Sequence, residues 1–343
     1  MPLTVLSIAY PFAPVGPDAV GGAEQILSHL DAALVKAGHR SLVVACAGSR
    51  TAGTLLPIPA VTGPINDETR AEIHSHQRRC IGVALRDYSV DLVHLHGIDF
   101  DQYLPPPGVP ALVTIHLPPG WYPASALHPA RARTYLHGVS QTQHLEFPPG
   151  TPLLPPIPNG VPVDELAARH AKRDFALCLG RICAEKGFHL ALDAAKLAGS
   201  PLLLAGEIFP YPAHEAYFRT EIEPRLDSTR RFIGPVGFSR KRRLLTAARC
   251  LVVPSRAPET SSLVAMEALA CGTSVIAFRV GALPEIVENG RTGFLVSDQR
   301  EMAAAIQSAH RIRPEDCRAA ARARFSLDRM TARYFDVYRQ VTA

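Results

Sequence analysis

Two carboxylates eight residues apart, Glu259 and Glu267, sit in the stretch PETSSLVAMEALACGT at 258–273. An apolar run at 250–254 reads as a short buried strand, followed by a loop at 255–260. A helix is expected from about Ser261: Ser261 and Ser262 suit an N-cap, Leu263, Met266 and Leu269/Ala270 recur at helical spacing, and Gly272 supplies the stop. Glu259 then lies in the loop and Glu267 about two turns into the helix. The N–H groups at such a helix start favour an anion, so the stretch reads as a phosphate cradle with a carboxylate at each side. Two cations, Arg181 and Lys186, bracket a second strand-to-helix turn, GRICAEKGF at 180–188. An arginine fork and a lysine point charge together suit a diphosphate.

The elements that must position these groups alternate along the chain. Thr4 to Ala9 reads as a central parallel strand, and a long loop closes at Gly21-Gly22. From Ala23 to Gly38 a helical stripe carries Ile26, Leu27, Leu30, Ala33, Leu34 and Ala37, and a strand at Ser41 to Cys46 completes a βαβ unit. No G-x-G-x-x-G follows the first strand and no acidic residue ends the second, which argues against a nicotinamide site. Residues 47–66, with Pro57, Pro59 and Pro64, read as loop, and a helix is expected over Asp67 to Tyr88. Strands are expected at Asp91–His96, Ala111–Ile115, Tyr135–Ser140 and Leu153–Ile157, then at Phe175–Gly180, Leu202–Ala205, Arg231–Ile233, Leu251–Val253, Ser274–Phe278 and Gly293–Val296, with a helix at Phe188–Leu197. Gly21-Gly22, His116, Arg181/Lys186 and Glu259 each follow the carboxyl end of a strand, where doubly wound sheets bind ligands. His94 and His96 read as packing and hydrogen-bonding residues rather than zinc ligands, and the pair Asp99-x-Asp101 is too common a spacing to be read as a metal motif. Arg240 to Arg243, RKRR, reads as a solvated face, with contact to an anionic membrane or to an acceptor as the sharper alternative.

At 343 residues the chain has room for two domains. Its 47% hydrophobic and 20% charged residues fit a globular enzyme. The net charge of +5 comes with no nucleic-acid-binding motif. Seven scattered cysteines without C-x-x-C disfavour a zinc site or disulfide framework and point to a reducing compartment, the cytoplasm. The amino-terminal residues do not read as a signal peptide, and no run approaches a membrane span.

From Pro254 to Val296 the sequence PSRAPETSSLVAMEALACGTSVIAFRVGALPEIVENGRTGFLV resembles the carboxy-terminal signature of the family 4 retaining glycosyltransferases, the E-x7-E enzymes among the "glycosyl transferases group 1". The pattern GR-x4-KG at 180–187 matches the same family. The resemblance implies an α/β GT-B fold, two Rossmann-like doubly wound domains facing across a cleft: residues 1–163 for the acceptor, 164–325 for the nucleotide sugar, and a helix at 326–343 crossing back. It implies that His116 faces the reacting sugar, that Glu259 holds hydroxyls of that sugar, and that Glu267 holds the ribose. Arg181 and Lys186, the backbone of Gly21 and Gly22, and the helix start at Ser261, Ser262 and Leu263 would meet the diphosphate; Val236 and Gly237 would meet the base. The implied reaction is metal-independent, retaining transfer of a hexosyl or N-acetylhexosaminyl group to a saccharide, lipid-linked or small-molecule hydroxyl acceptor. No cofactor or nucleic-acid partner is expected. UDP is the commonest donor nucleotide, ahead of GDP and ADP, and Pro235 does not reveal the choice. A nucleotide-sugar-binding protein without turnover is the alternative. An acid/base glutamate pair of a hydrolase is disfavoured because Glu267 faces the nucleotide in the matched arrangement.

Overall fold

The computed structural model describes residues 2–168 and 170–343. By Cα packing the chain divides into two compact units, Met1–Pro158 with Met330–Ala343, and Asn159–Arg329.

The first unit holds a six-stranded parallel sheet: β1 Thr4–Ile8, β2 Arg40–Cys46, β3 Thr54–Ile58, β4 Leu92–Leu95, β5 Ala111–Ile115 and β6 Thr134–Gly138, in the order β3-β2-β1-β4-β5-β6. That order is the doubly wound one, with its switch point between β1 and β4. Val5, Leu6 and Ile8 of the central strand are fully buried, as a strand covered on both faces requires. The helices Gly22–Lys36 and Asp67–Asp87 form where expected; Ile26, Leu27, Leu30 and Leu34 of the first are buried, whereas Ala37 is exposed and lies just past its end, and Asn66 caps the second by accepting from Thr69 N–H.

Two expectations are corrected here. The stretch 47–66 contains β3, an edge strand that tolerates Pro57 because a missing donor costs little at a sheet margin. Buried Asp31 brings the chain into register there, accepting from the Ser41 hydroxyl at 2.7 Å and the Ala52 N–H at 2.6 Å. Conversely, 153–157 is not a strand: a single bridge joins Leu136 and Leu153, since Pro152, Pro155 and Pro156 cannot donate to a ladder.

The second unit repeats the design with β7 Ala176–Leu179, β8 Leu202–Ala205, β9 Arg230–Phe232, β10 Cys250–Val253, β11 Ser274–Phe278 and β12 Gly293–Val296. Their order, β12-β11-β10-β7-β8-β9, puts the switch point between β10 and β7. One sheet face packs Leu177, Leu251 and Val275 with Met266 and Leu269 of the helix Leu263–Ala270. The other packs Cys178, Val252 and Ile276 with the helices Phe188–Leu197 and Gln299–Ser308. In the last helix, Leu327–Thr342, Met330, Tyr334, Tyr338 and Val341 are buried at helical spacing.

Candidate active site

In the second unit, the candidate residues converge at the carboxyl ends of β7 and β10, on the two sides of the switch point. After β7 the chain makes a turn at Ala184–Lys186 and closes it at Gly187, φ 64°. A side chain there is excluded: a Cβ on Gly187 would sit 2.3 Å from Pro254 O. The loop after β10 is therefore pressed against this turn, and Arg256 N–H donates to Glu185 O at 2.8 Å. The contact brings Lys186 Nζ to 2.6 Å from Glu259 Oε1. The Ser255 hydroxyl donates to the same carboxylate oxygen. From the other side, Gly281, φ 52°, lets the loop after β11 approach the backbone of Glu259, and Ala282 N–H donates to Glu259 O at 2.7 Å. Arg181 is exposed on the same turn as Lys186.

The helix begins two residues later than expected. Ser262 is its N-cap, Leu263 its first residue, and Glu267 its fifth, little more than one turn in. Ser262 makes no side-chain cap hydrogen bond, and the buried hydroxyl of Ser261 has no partner. An uncapped helix start beside an unsatisfied buried hydroxyl suits acceptor oxygens from a ligand.

Glu267 is buried, and burial pushes its carboxyl above the ordinary range against the pull of Lys241. Lys241 Nζ lies 2.5 Å from Glu267 Oε1. The solvated-face reading of 240–243 is thus corrected at Lys241, whose side chain turns inward to a buried carboxylate; Arg242 instead donates to Glu165 O at 2.9 Å. Lys241 stands on the helix Phe238–Ala247, whose N-cap is Gly237, so Val236-Gly237 leads directly into the element that touches Glu267. Composition hid this lysine among three arginines. Its spacing of four from Gly237 was the available signal, since it puts residue 241 one turn beyond the cap.

In the first unit, Gly21 is the N-cap of the helix Gly22–Lys36. A Cβ on Gly21 would lie 1.8 Å from Glu24 Oε2, so a carboxylate already covers this glycine. A phosphate placed here meets that charge, a feature that the glycine pair alone did not reveal.

His116, at the end of β5, is buried beside His96: His96 Nδ1 and His116 Nε2 are 3.0 Å apart, one donating to the other. Burial lowers His116 to about 3, so it is neutral at physiological pH. Beneath the pair runs a directional network. His137 Nδ1–H donates to Gly138 O, so its Nε2 accepts from the Thr114 hydroxyl at 2.8 Å. Thr114 then accepts from His94 Nε2–H at 2.8 Å, and His94 Nδ1 accepts from Tyr338 O–H at 2.8 Å. These histidines tie β5 and the residue that follows it to the neighbouring strands. Asp99 is engaged by His74 Nε2 and the Tyr103 hydroxyl, each at 2.7 Å. Among the described residues, no group of three His, Cys, Asp or Glu side chains could hold a metal ion, and no helix is long and apolar enough to cross a membrane.

Residues 173–311 match the family model described as Glycosyl transferases group 1. A D-inositol 3-phosphate glycosyltransferase of Saccharomonospora viridis is 37% identical over 130 residues, 36% of this chain and 30% of that protein; the match therefore spans less than a third of that relative's length. A glycogen synthase of Mycobacterium tuberculosis is 27% identical over 388 aligned positions, covering 96% of this chain and 91% of that protein. Among solved structures, Anabaena HepE in complex with UDP-glucose superposes with a TM-score of 0.77 at 18% identity, covering 98% of this chain and 100% of that one. The matched segment, 173–311, holds Arg181, Lys186, Glu259 and Glu267 and is similar to the group 1 glycosyltransferases, and the two doubly wound units share the fold of that solved structure.

Proposed function

We propose that the protein is a retaining, metal-independent E-x7-E glycosyltransferase that uses a nucleotide diphosphate sugar, with UDP as the nucleotide. The observation that carries this reading is the convergence of Lys186, Glu259 and the uncapped helix start at Ser262 around one switch point. HepE, a fold relative, was solved with UDP-glucose bound.

Transfer leaves a diphosphate with added negative charge beside an oxocarbenium-like sugar. Lys186, Arg181 and the N–H groups at the helix start stabilise that charge as it forms. Glu259, held by Lys186 and Ser255, orients hydroxyls of the transferred sugar; Glu267 takes the ribose hydroxyls through the oxygen that Lys241 leaves open. Val236 and Gly237 line the base. His116, neutral, donates or accepts a hydrogen bond at the reacting sugar, and Gly21-Gly22 contact phosphate once Glu24 swings aside. No side chain is assigned as a nucleophile; the departing phosphate takes the acceptor proton. The first unit receives the acceptor. We place the protein in the cytoplasm, with the arginines of 240–243 as its contact to an anionic membrane face.

The test is thermal unfolding with UDP, GDP, ADP and NAD, each with and without EDTA. A ligand specific for the folded state adds ~2.7 kcal/mol at about one hundred times its dissociation constant. Stabilisation by UDP that EDTA leaves unchanged is expected. Stabilisation only by NAD, or only with added metal, contradicts the proposal.

A further inference from the structure

The loop after His116 turns one aromatic ring inward and the next outward. Tyr122 is 6% exposed, and its hydroxyl accepts from Leu117 N–H at 3.4 Å, folding the loop back toward the end of β5. Its neighbour Trp121, the single tryptophan of the chain, is 55% exposed. The same loop is tied to the short helix Gln141–Leu145 by Gln143, whose Nε2 donates to Ile115 O and Leu117 O, both at 2.9 Å. That helix ends in Leu145, 80% exposed. Two large apolar side chains are thus left in water on interlocked segments at the His116 end of the sheet.

Charge narrows what can cover them. The sequence contains no Asp, Glu, Lys or Arg from His116 to Leu127, nor from Thr134 to Leu145. A phosphorylated ligand needs cations, which these segments do not supply. An anionic membrane also selects Lys and Arg around its apolar anchors. An uncharged sugar ring fits: one face carries weakly positive C–H groups that stack on the negative π-face of an indole, while its hydroxyls stay at the wet rim.

We propose that Trp121 and Leu145 form an acceptor subsite for an uncharged saccharide ring stacked on the indole. This rests on the glycosyltransferase reading above. Trp121 is its own reporter, so the test is intrinsic fluorescence of the full chain titrated with methyl glucoside, maltose and lactose. Glucose 6-phosphate, inositol 1-phosphate and phosphatidylcholine/phosphatidylglycerol vesicles form the opposing arms. A saturable change with at least one neutral sugar is expected, weakened in Leu145→Ala. By saturation-transfer NMR, Trp121→Ala should weaken the same sugar about tenfold. A response confined to the phosphorylated sugars or to vesicles overturns the proposal, as does no response to any saccharide. UDP stabilisation measured on the same samples separates the two ideas. Stabilisation without a saccharide response removes the subsite alone, whereas its absence removes the reading beneath it.

Discussion

Lys186 Nζ and Glu259 Oε1 stand 2.6 Å apart, joining the loops that leave β7 and β10. The pair holds each side chain in the place where the proposed sugar diphosphate would need it. Lys186→Ala and Glu259→Ala should each lower donor turnover about 100-fold or more, the scale seen when a preorganised charge-stabilising group is removed. Steady-state assays with a UDP-sugar check this, with circular dichroism to confirm the fold. Full activity in both variants would falsify the site assignment.

Lys241 neutralises a carboxylate that burial has already pushed up. Lys241→Met strands that charge and should cost on the order of 3 kcal/mol of stability. Adding Glu267→Gln should restore most of the loss, and urea melts of the two variants decide it. Equal stability of Lys241→Met and wild type would show that the pair does not hold in solution.

Gly187 meets two demands together, a left-handed φ of 64° and contact with Pro254 O. Gly187→Ala should destabilise by more than about 1 kcal/mol and weaken UDP binding by displacing Lys186. Thermal unfolding and calorimetry read both effects. Loss of stability with unchanged UDP affinity would separate Lys186 from the nucleotide.

Burial holds His94 and His96 well below their ordinary 6.5, His116 at about 3 and His137 at about 4. The unfolded chain binds protons near 6.5 while these folded rings do not. Their contribution is therefore complete above that pH and falls as pH drops toward 4, by about 1.4 kcal/mol per pH unit for each ring. Melting temperature should decline steeply between pH 7 and 5. A flat profile would mean that the rings are open to water.

The sequence alone determined the alternation of strands and helices, because buried parallel strands are continuous apolar runs and their helices carry one apolar stripe. It also determined that Gly21-Gly22, His116, Arg181/Lys186 and Glu259 follow strand ends, since that depends only on local order. β3 escaped it: Pro57 reads as loop locally, and only an edge position with Asp31 holding the turn makes it a strand. The inward turn of Lys241 escaped it as well, because a lysine among arginines gains a buried partner only when the helices Phe238–Ala247 and Leu263–Ala270 pack. The same holds for Glu24 over Gly21, and for the burial beside His96 that keeps His116 neutral. Spacing along a chain encodes which face a residue occupies. Which charge meets which across a fold, and hence each group's protonation and reach, is settled by packing between segments distant in sequence.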